Sequence, residues 1–274
     1  MSNSTIAFIG AGNMASSIIG GLVTQGLSPA SITATARSQA SLTRITNIAP
    51  VNTTTDNQQA VIDADVVVLA VKPQMMKTVL EDIKDATQSS APLFISLAAG
   101  IEISSIDHWL GGNQAIIRCM PNTPSMVQQG AAGLYANTRV TAVQKTTAET
   151  ILRAVGLSLW VDDEESINAV TAVSGSGPAY FFYIMEAMQA AGEELGLTTE
   201  AAKLLTLQTA LGAAQMAIAS DEDTAQLRRQ VTSPGGTTEQ AIKVFDENNL
   251  RDTFKQAMTA CKNRAQALAK ESDI

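Results

Sequence analysis

Several classes of protein are excluded by what the sequence lacks. The chain of 274 residues contains only two cysteines, Cys119 and Cys261, and one histidine, His108. These residues cannot form a disulfide framework or a Cys/His zinc site of ordinary spacing. A Ser-His-Asp triad would have to use His108, which has no nucleophile motif near it. The sequence therefore predicts neither a metal site nor a serine-hydrolase site.

Aromatic residues and positive charge are also scarce. Only 4% of the residues are aromatic, and 18 Lys and Arg stand against 26 Asp and Glu, which gives a net charge of −8. Few aromatics disfavour a stacking platform for single-stranded nucleic acid. The acidic balance disfavours nucleic-acid and anionic-membrane partners. An anionic small ligand remains possible, because one local site can bind it within an acidic protein.

Long apolar runs and targeting signals are missing as well. The sequence has no uncharged run of about 18 or more apolar residues, so we expect no membrane span. The first residues do not form a basic region followed by an apolar one, so we expect no secretory signal. These features predict a soluble protein that is made and kept in the cytoplasm.

The residues that are present divide the chain into two halves of different character. In the first half, strand-like segments alternate with helical patterns, which is typical of a doubly wound parallel α/β sheet. The strand-like segments are residues 5–10, 31–36, 65–71, 92–97 and 114–118. Strand signals end near Glu164, and the helical patterns that follow cover residues 178–195, 199–219 and 250–270. We predict a first domain over residues 1–163 and an all-helical domain over residues 164–274.

A glycine-rich loop follows the first strand-like segment. Residues 10–15 have the pattern G-x-G-x-x-A between a strand and a helix. Gly10 permits a tight turn, Gly12 lets backbone amides approach a pyrophosphate, and Ala15 lets the helix pack closely on the sheet. The helix N-terminus then faces the phosphates. With the strand-helix alternation, this pattern predicts a Rossmann dinucleotide-binding domain.

The residues after the second strand bear on which dinucleotide is bound. Most NAD-binding domains place Asp or Glu about 20 residues after the loop, whereas this chain has Arg37 and Ser38 there. Arg37 can pair with a 2′-phosphate and Ser38 can donate to it, which favours NADPH and leaves NADH open. Lys72 could hold an anionic cofactor group or be solvated. Ala98 and Ala99 could leave room for a nicotinamide ring or form a tight turn.

Two glycine-rich segments of the second half are candidate anion sites. Residues 173–178 include Ser174, and residues 231–238 read VTSPGGTT; each segment precedes a helical pattern. Glycines and hydroxyls at a helix start offer free backbone N–H groups and the positive end of the helix dipole. A small carboxylate suits such a site. The alternative is a helix cap with a flexible turn.

Six segments together form a specific pattern. They are FIGAGNMA at 8–15, DNQQAVIDADVVVLAVKPQ at 56–74, SLAAGI at 96–101, RCMPNTP at 118–124, AVSGSGPAY at 172–180 and VTSPGGTT at 231–238. With these segments, the chain resembles the pyrroline-5-carboxylate reductase family over nearly its whole length. The resemblance implies a Rossmann domain, a helical domain that interlocks two subunits into a homodimer, and possible assembly into a decamer. It also implies reduction of 1-pyrroline-5-carboxylate to proline with NADPH or NADH, the last step of proline biosynthesis.

The resemblance also implies roles for individual residues. Dinucleotide contacts are expected on Gly10, Ala11, Gly12, Asn13, Met14, Arg37, Ser38, Asn57, Val71, Lys72, Ala98 and Ala99. The substrate is expected on residues 233–238, including Ser233, with its carboxylate on the backbone amides of Gly235, Gly236 and Thr237. The hydroxyl of Thr238, the candidate catalytic residue, would bond the ring nitrogen. Asp221 stands where some members have an acid near the substrate across the dimer, and Gln230 stands where some have Asn near the cofactor.

Two other functions fit part of the pattern. The β-hydroxyacid dehydrogenases also join a Rossmann half to a helical half, but they use a lysine on the helix after their Gly-Gly stretch. Residues 178–195 of this chain contain no lysine. A non-catalytic NADP sensor would be expected to have a degraded substrate motif, whereas the substrate motif at residues 231–238 of this chain is intact. Both alternatives are therefore disfavoured.

Overall fold

The computed structural model describes residues 4–88 and 90–272. The described chain forms two compact units. The first unit runs to Ser176 and also includes the residues from Ala260 onward, and the second is Gly177–Thr259. The predicted domain boundary after residue 163 lies upstream of this junction and stays a prediction.

One sheet organises the first unit. Its strands are β1 (Ile6–Ile9), β2 (Ile32–Thr35), β3 (Asn52–Thr54), β4 (Val66–Leu69), β5 (Leu93–Ser96), β6 (Ala115–Met120), β7 (Gly130–Ala136) and β8 (Gly156–Trp160). They lie in the order β3-β2-β1-β4-β5-β6-β7-β8. The order reverses between β1 and β4, which confirms the predicted doubly wound Rossmann sheet.

The sheet departs from the prediction at β7. Neighbouring strands pair in parallel except for β6 and β7, which pair antiparallel. The connection between these two strands holds only a short 3₁₀ helix, Thr123–Val127. A parallel pair requires a crossover of a dozen or more residues, so this shorter connection turns the chain back on itself.

Helices cover both faces of the sheet. They are α1 (Asn13–Thr24), α2 (Gln39–Ile48), α3 (Asn57–Val61), α4 (Met76–Thr87), α5 (Ile103–Trp109), α6 (Ala142–Arg153) and α7 (Ser166–Val170). Strand β1 shows the resulting two cores. Ile6 and Phe8 belong to the core that includes α1 and α6, and Ala7 and Ile9 to the core that includes α4 and α5. Burial on both faces explains the continuous apolar strands of the sequence.

A π-helical turn, Thr171–Gly175, follows α7. The Asn122 side chain holds it, since its Nδ2 donates to the Ser174 carbonyl oxygen at 3.0 Å and its Oδ1 accepts from the Ala131 amide at 2.8 Å. A Cβ added to Gly175 would lie only 2.5 Å from Met120 Cε. A buried amide side chain therefore holds the turn, and the Met120 side chain packs closely against its glycine. Such turns are frequent at functional sites.

The second unit is helical. Its helices are α8 (Gly177–Glu194), α9 (Thr199–Ala219), α10 (Thr224–Gln230), α11 (Thr237–Glu247) and the first part of α12 (Leu250–Ser272). Eight large apolar side chains of α8, α9 and their connection are at least 58% exposed: Phe181, Phe182, Tyr183, Leu195, Leu204, Leu205, Met216 and Ile218. Within the described residues, no helix is both long and apolar enough to cross a membrane.

Candidate active site

A cavity of about 640 Å³ lies at the carboxyl ends of the first strands of the sheet. Eight of the twelve residues predicted to contact a dinucleotide line it: Gly10, Ala11, Gly12, Arg37, Ser38, Asn57, Val71 and Lys72. They come from four separate segments of the chain. The parallel strands bring these segments together because their carboxyl ends share one edge of the sheet.

The loop between β1 and α1 is held in a conformation that requires glycine. Gly10 has a φ of 102°, and a Cβ added to it would lie 2.9 Å from the Ala70 carbonyl oxygen. Its amide donates to Thr35 Oγ1 at 3.3 Å, and that hydroxyl donates to Asn57 Oδ1 at 2.7 Å. These bonds tie the loop to the end of β2 and the start of α3. Gly12 caps α1 without a side-chain hydrogen bond, which suits the binding of an anion by the first amides of the helix.

The charge of the cavity is entirely of one sign. Arg37, Arg44 and Lys72 line it, and no Asp or Glu is present among the described residues of its wall. In a chain with a net charge of −8, this is a local concentration of positive charge. A dinucleotide carries a charged pyrophosphate, and NADP carries a 2′-phosphate as well. The residues present therefore fit such a cofactor in both shape and charge.

Ser38 and its neighbours form the side of the cavity next to α2. Ser38 caps this helix by accepting the Ser41 amide at 3.3 Å, and the two serine hydroxyls are 3.1 Å apart. Ser41 and Arg44 also line the cavity, although neither was predicted. They follow Ser38 at successive steps of three residues, and this helical spacing could have identified them. The other lining residues without a predicted role are Thr35, Ala36, Thr55, Met75 and Val79.

Four residues with predicted cofactor roles do not line this cavity. Asn13 lines a separate groove of about 380 Å³ beside α1, and Met14 packs against the core. Ala98 is buried in the other core, whereas Ala99 is exposed. Their roles in cofactor binding stay predictions.

The segment predicted to hold the substrate leads into α11. Gly235 has a φ of 70°, and its amide donates to Glu239 Oε2 at 2.8 Å. The Gly236 amide donates to the Ser233 carbonyl oxygen at 2.9 Å. Two of the three amides expected to bind a carboxylate therefore have internal acceptors. The Thr237 amide begins the helix, where helical geometry provides no acceptor, and Gly236 caps the helix without a side-chain hydrogen bond.

The remaining candidates are distributed over both units. Ser233 and Asp221 are exposed, and Thr238 is half-buried. These three residues belong to the second unit, whereas Ser174 lies on the π-helical turn of the first. Gln230, the last residue of α10, donates from Nε2 to Glu222 Oε2 at 2.5 Å. This bond links the end of α10 to the segment that precedes the helix.

Glu239 was not predicted to take part in this site. It is the third residue of α11, where the glutamate of a capping box stands. A capping box normally bonds the amide of the cap residue, but this carboxylate bonds the amide one residue earlier. The position of Glu239 three residues after the cap could therefore have indicated, from the sequence alone, a contact with the loop ahead of α11.

Neither Cys119 nor any described cluster of acidic, His or Cys side chains offers an accessible thiolate or a metal site. Cys119 is buried in the sheet core, and burial raises the pKa of its thiol well above the ordinary value. In residues 4–88 and 90–272, no group of three or more His, Cys, Asp or Glu side chains is placed to hold a metal ion.

The fold and the cavity are those of a dinucleotide-binding protein, and two family models place the chain among the oxidoreductases. Residues 5–100 match the family model described as NADP oxidoreductase, coenzyme F420-dependent. Residues 164–268 match the model described as pyrroline-5-carboxylate reductase dimerisation. The two matches fall on the Rossmann sheet and on the helical part of the chain, respectively.

Individual relatives specify the family. A pyrroline-5-carboxylate reductase from Pseudomonas aeruginosa is 52% identical over 271 residues, which cover 99% of each chain. A solved structure of such a reductase from Coxiella burnetii is 53% identical, with a TM-score of 0.94 over 97% of this chain and 98% of that one. A pyrroline carboxylate reductase from Plasmodium falciparum with NADP bound is 29% identical, with a TM-score of 0.86 over 98% and 99%. The chain belongs to the pyrroline-5-carboxylate reductase family, which confirms the resemblance found in the sequence.

Proposed function

We propose that the protein reduces 1-pyrroline-5-carboxylate to L-proline, the last step of proline biosynthesis, with a nicotinamide dinucleotide as hydride donor. The observation that carries this proposal is the cavity at the strand ends, where a glycine loop meets three basic side chains and, among the described lining residues, no Asp or Glu. Family membership supports the choice of substrate, since the relatives carry the name of this activity.

The reaction does not require a strong general acid or base from the protein. The substrate is a cyclic imine with one carboxylate, and a protonated imine is already a strong electrophile. A bound nicotinamide would supply the hydride that reduces the imine carbon of the substrate. The chain has one histidine, so its contribution is mainly positional: it fixes the carboxylate, orients the ring nitrogen and lets solvent or a relayed water supply the proton.

Residues 233–238 hold the substrate in this proposal. The carboxylate binds the amides at the start of α11: that of Thr237, and those of Gly235 and Gly236 once their internal bonds open. The hydroxyl of Thr238 orients the ring nitrogen as a donor, because a threonine hydroxyl is too weakly acidic to serve as a general acid. Ser233, Asp221 and Ser174 are proposed as further substrate contacts.

Substitution of Thr238 tests this assignment. We expect Thr238→Ala to lower kcat/KM for the imine while the Kd for the dinucleotide stays unchanged. Thr238→Ser keeps the hydroxyl and is the matched control, which should retain most of the activity. Unchanged proline formation by Thr238→Ala would remove Thr238 from the mechanism.

We propose NADPH as the preferred hydride donor, with NADH as a possible second one. The support comes from Arg37 and Ser38 at the cavity wall, where a 2′-phosphate would find a guanidinium and a hydroxyl. The other predicted cofactor residues, including Asn13, Met14, Ala98 and Ala99, are proposed contacts as well. The ratio of kcat/KM with NADPH to that with NADH tests this preference.

We propose that the chain works in the cytoplasm as a homodimer, with a decamer as a possible higher assembly. The match of residues 164–268 to a dimerisation family supports the dimer. The two alternatives are disfavoured. Helix α8 carries no lysine, unlike the corresponding helix of β-hydroxyacid dehydrogenases, and a non-catalytic sensor would bind NADPH without reducing the imine.

A further inference from the structure

Arg44 connects helix α2 to the phosphate loop. Its Nη2 donates to the carbonyl oxygen of Ala11 at 2.9 Å, across 33 residues of sequence. Ala11 stands between Gly10 and Gly12 and is 6% exposed. Arg44 also lines the cavity together with these three residues. One side chain thus contacts the loop backbone and borders the space beside it.

The bond fixes the direction of a peptide group within the loop. A carbonyl oxygen carries partial negative charge, and it would repel a pyrophosphate if it turned toward the cavity. The charge-assisted bond holds the Ala11 carbonyl on the guanidinium. Because carbonyl and following amide belong to one rigid peptide unit, the Gly12 amide is held as well. Arg44 therefore stabilises the loop conformation in which the Ala11 carbonyl oxygen is paired with the guanidinium.

We infer that Arg44 is a positioning residue for the pyrophosphate loop and increases the affinity for NADPH and NADH alike. This role differs from that of Arg37, which we propose reads only the 2′-phosphate. The inference rests on the proposed dinucleotide function. Nothing in the Arg44 contact with Ala11 involves the 2′ position, so the effect of Arg44 does not depend on which dinucleotide is present.

The test is direct binding of each dinucleotide without substrate, measured by titration of the nicotinamide fluorescence. The variants are Arg44→Gln, Arg44→Lys and Arg37→Gln, with Arg153→Gln as the control. Arg153 lies on α6 and pairs with Glu149 outside the cavity. We expect Arg44→Gln to raise both Kd values by a similar factor of about ten, the size expected for one charge-assisted hydrogen bond.

The companion variants separate the two arginines. Arg37→Gln should raise the Kd for NADPH alone, and Arg153→Gln should match the wild type. Arg44→Lys should raise both Kd values by a smaller common factor, because lysine keeps the charge but loses the planar fork. If Arg44→Gln fails to fold, Arg44→Lys carries the test.

Two results would overturn the inference: unchanged Kd values for both dinucleotides, or a rise for NADPH alone in the Arg44 variants. The second result would make Arg44 a reader of the 2′-phosphate. A wild-type protein that binds neither dinucleotide would instead contradict the proposed function, so the two failures are distinguishable.

Discussion

The loop ahead of α11 is contacted by a carboxylate of the chain itself, that of Glu239 in the first turn of this helix. Its bond to the Gly235 amide occupies a donor that the substrate carboxylate is proposed to use. Two carboxylates at one small loop repel each other. The same bond also holds Gly235 in its left-handed conformation. The charge of Glu239 therefore disfavours substrate binding, whereas the loop order that its bond provides favours it.

Glu239→Gln separates these two effects, because it removes the charge and keeps an acceptor oxygen. We expect the KM for 1-pyrroline-5-carboxylate to fall about fivefold, which corresponds to ~1 kcal/mol between solvent-exposed charges, while kcat stays unchanged. Glu247→Gln, at the other end of α11, is the control and should leave KM unchanged. A KM that is unchanged or higher in Glu239→Gln would contradict the expectation that this repulsion dominates.

Cys119 gives a second prediction for a single side chain. It is 1% exposed and burial raises its pKa, so little reactive thiolate is available in the folded protein. We expect alkylating reagents at mildly alkaline pH to modify Cys119 only after unfolding, as measured by peptide mass spectrometry. Cys261 is partly accessible and serves as the internal comparison. Rapid modification of Cys119 in the native protein would contradict the burial of its thiol in the folded state.

The cofactor-binding residues that the sequence predicted were predictable for one physical reason. Gly10, Arg37 and Lys72 lie within three residues of the carboxyl ends of β1, β2 and β4, so the strand pattern alone placed them at one edge of the sheet. Arg44 and Glu239 act through contacts that form only once a helix brings them back to a loop. The helical spacing from Ser38 and the capping-box position were signals for these two residues, but they did not specify which atoms the side chains contact.

At the level of elements, the strands β3, β7 and β8 were not predicted. Strand β7 has the sequence GAAGLYA, and β3 is the polar segment NTT. Glycine, alanine and asparagine are uncommon in strands, and these segments form strands because of their pairing with neighbours. The buried apolar strands β1, β4 and β5 were found because their own composition identified them. The major helices of the second half were also found, since their periodicity extends over several turns.

Gly156 tests how strongly β8 depends on close packing with β7. It has a φ of 148°, and an added Cβ would lie 2.0 Å from the Gly130 carbonyl oxygen. We expect Gly156→Ala to lower the free energy of unfolding by at least about 2 kcal/mol, measured by urea denaturation. Ser158→Ala on the same strand loses only a bond to Arg153 and should cost less than about 1 kcal/mol. Equal stability of Gly156→Ala and wild type would show that β8 can shift away.

The whole molecule presents an apolar surface on its second unit that a lone chain would expose to water. Phe181, Phe182 and Leu205 are each at least 58% exposed. Surfaces of this kind usually mark protein contacts. Since the chain has a mass of 28.7 kDa, we expect light scattering to give at least twice this value at micromolar concentration. A monomer at that concentration would contradict the proposed homodimer.

Phe182→Asp should weaken the assembly, because it places a charge in a surface proposed to be buried. Its control is Ile62→Asp, which changes a half-exposed apolar side chain of the first unit and should leave the mass unchanged. An assembly unaffected by Phe182→Asp would place the contact on another surface.

The most direct test of the central claim is the rate of NADPH oxidation with 1-pyrroline-5-carboxylate, with L-proline identified as the product. The rate is followed by the loss of nicotinamide absorbance, and the assay is repeated with NADH. We predict rapid turnover that depends on the imine, yields proline and is faster with NADPH. If NADPH binds but neither dinucleotide is oxidised, the proposed reaction is wrong and a sensor or a different substrate must be considered.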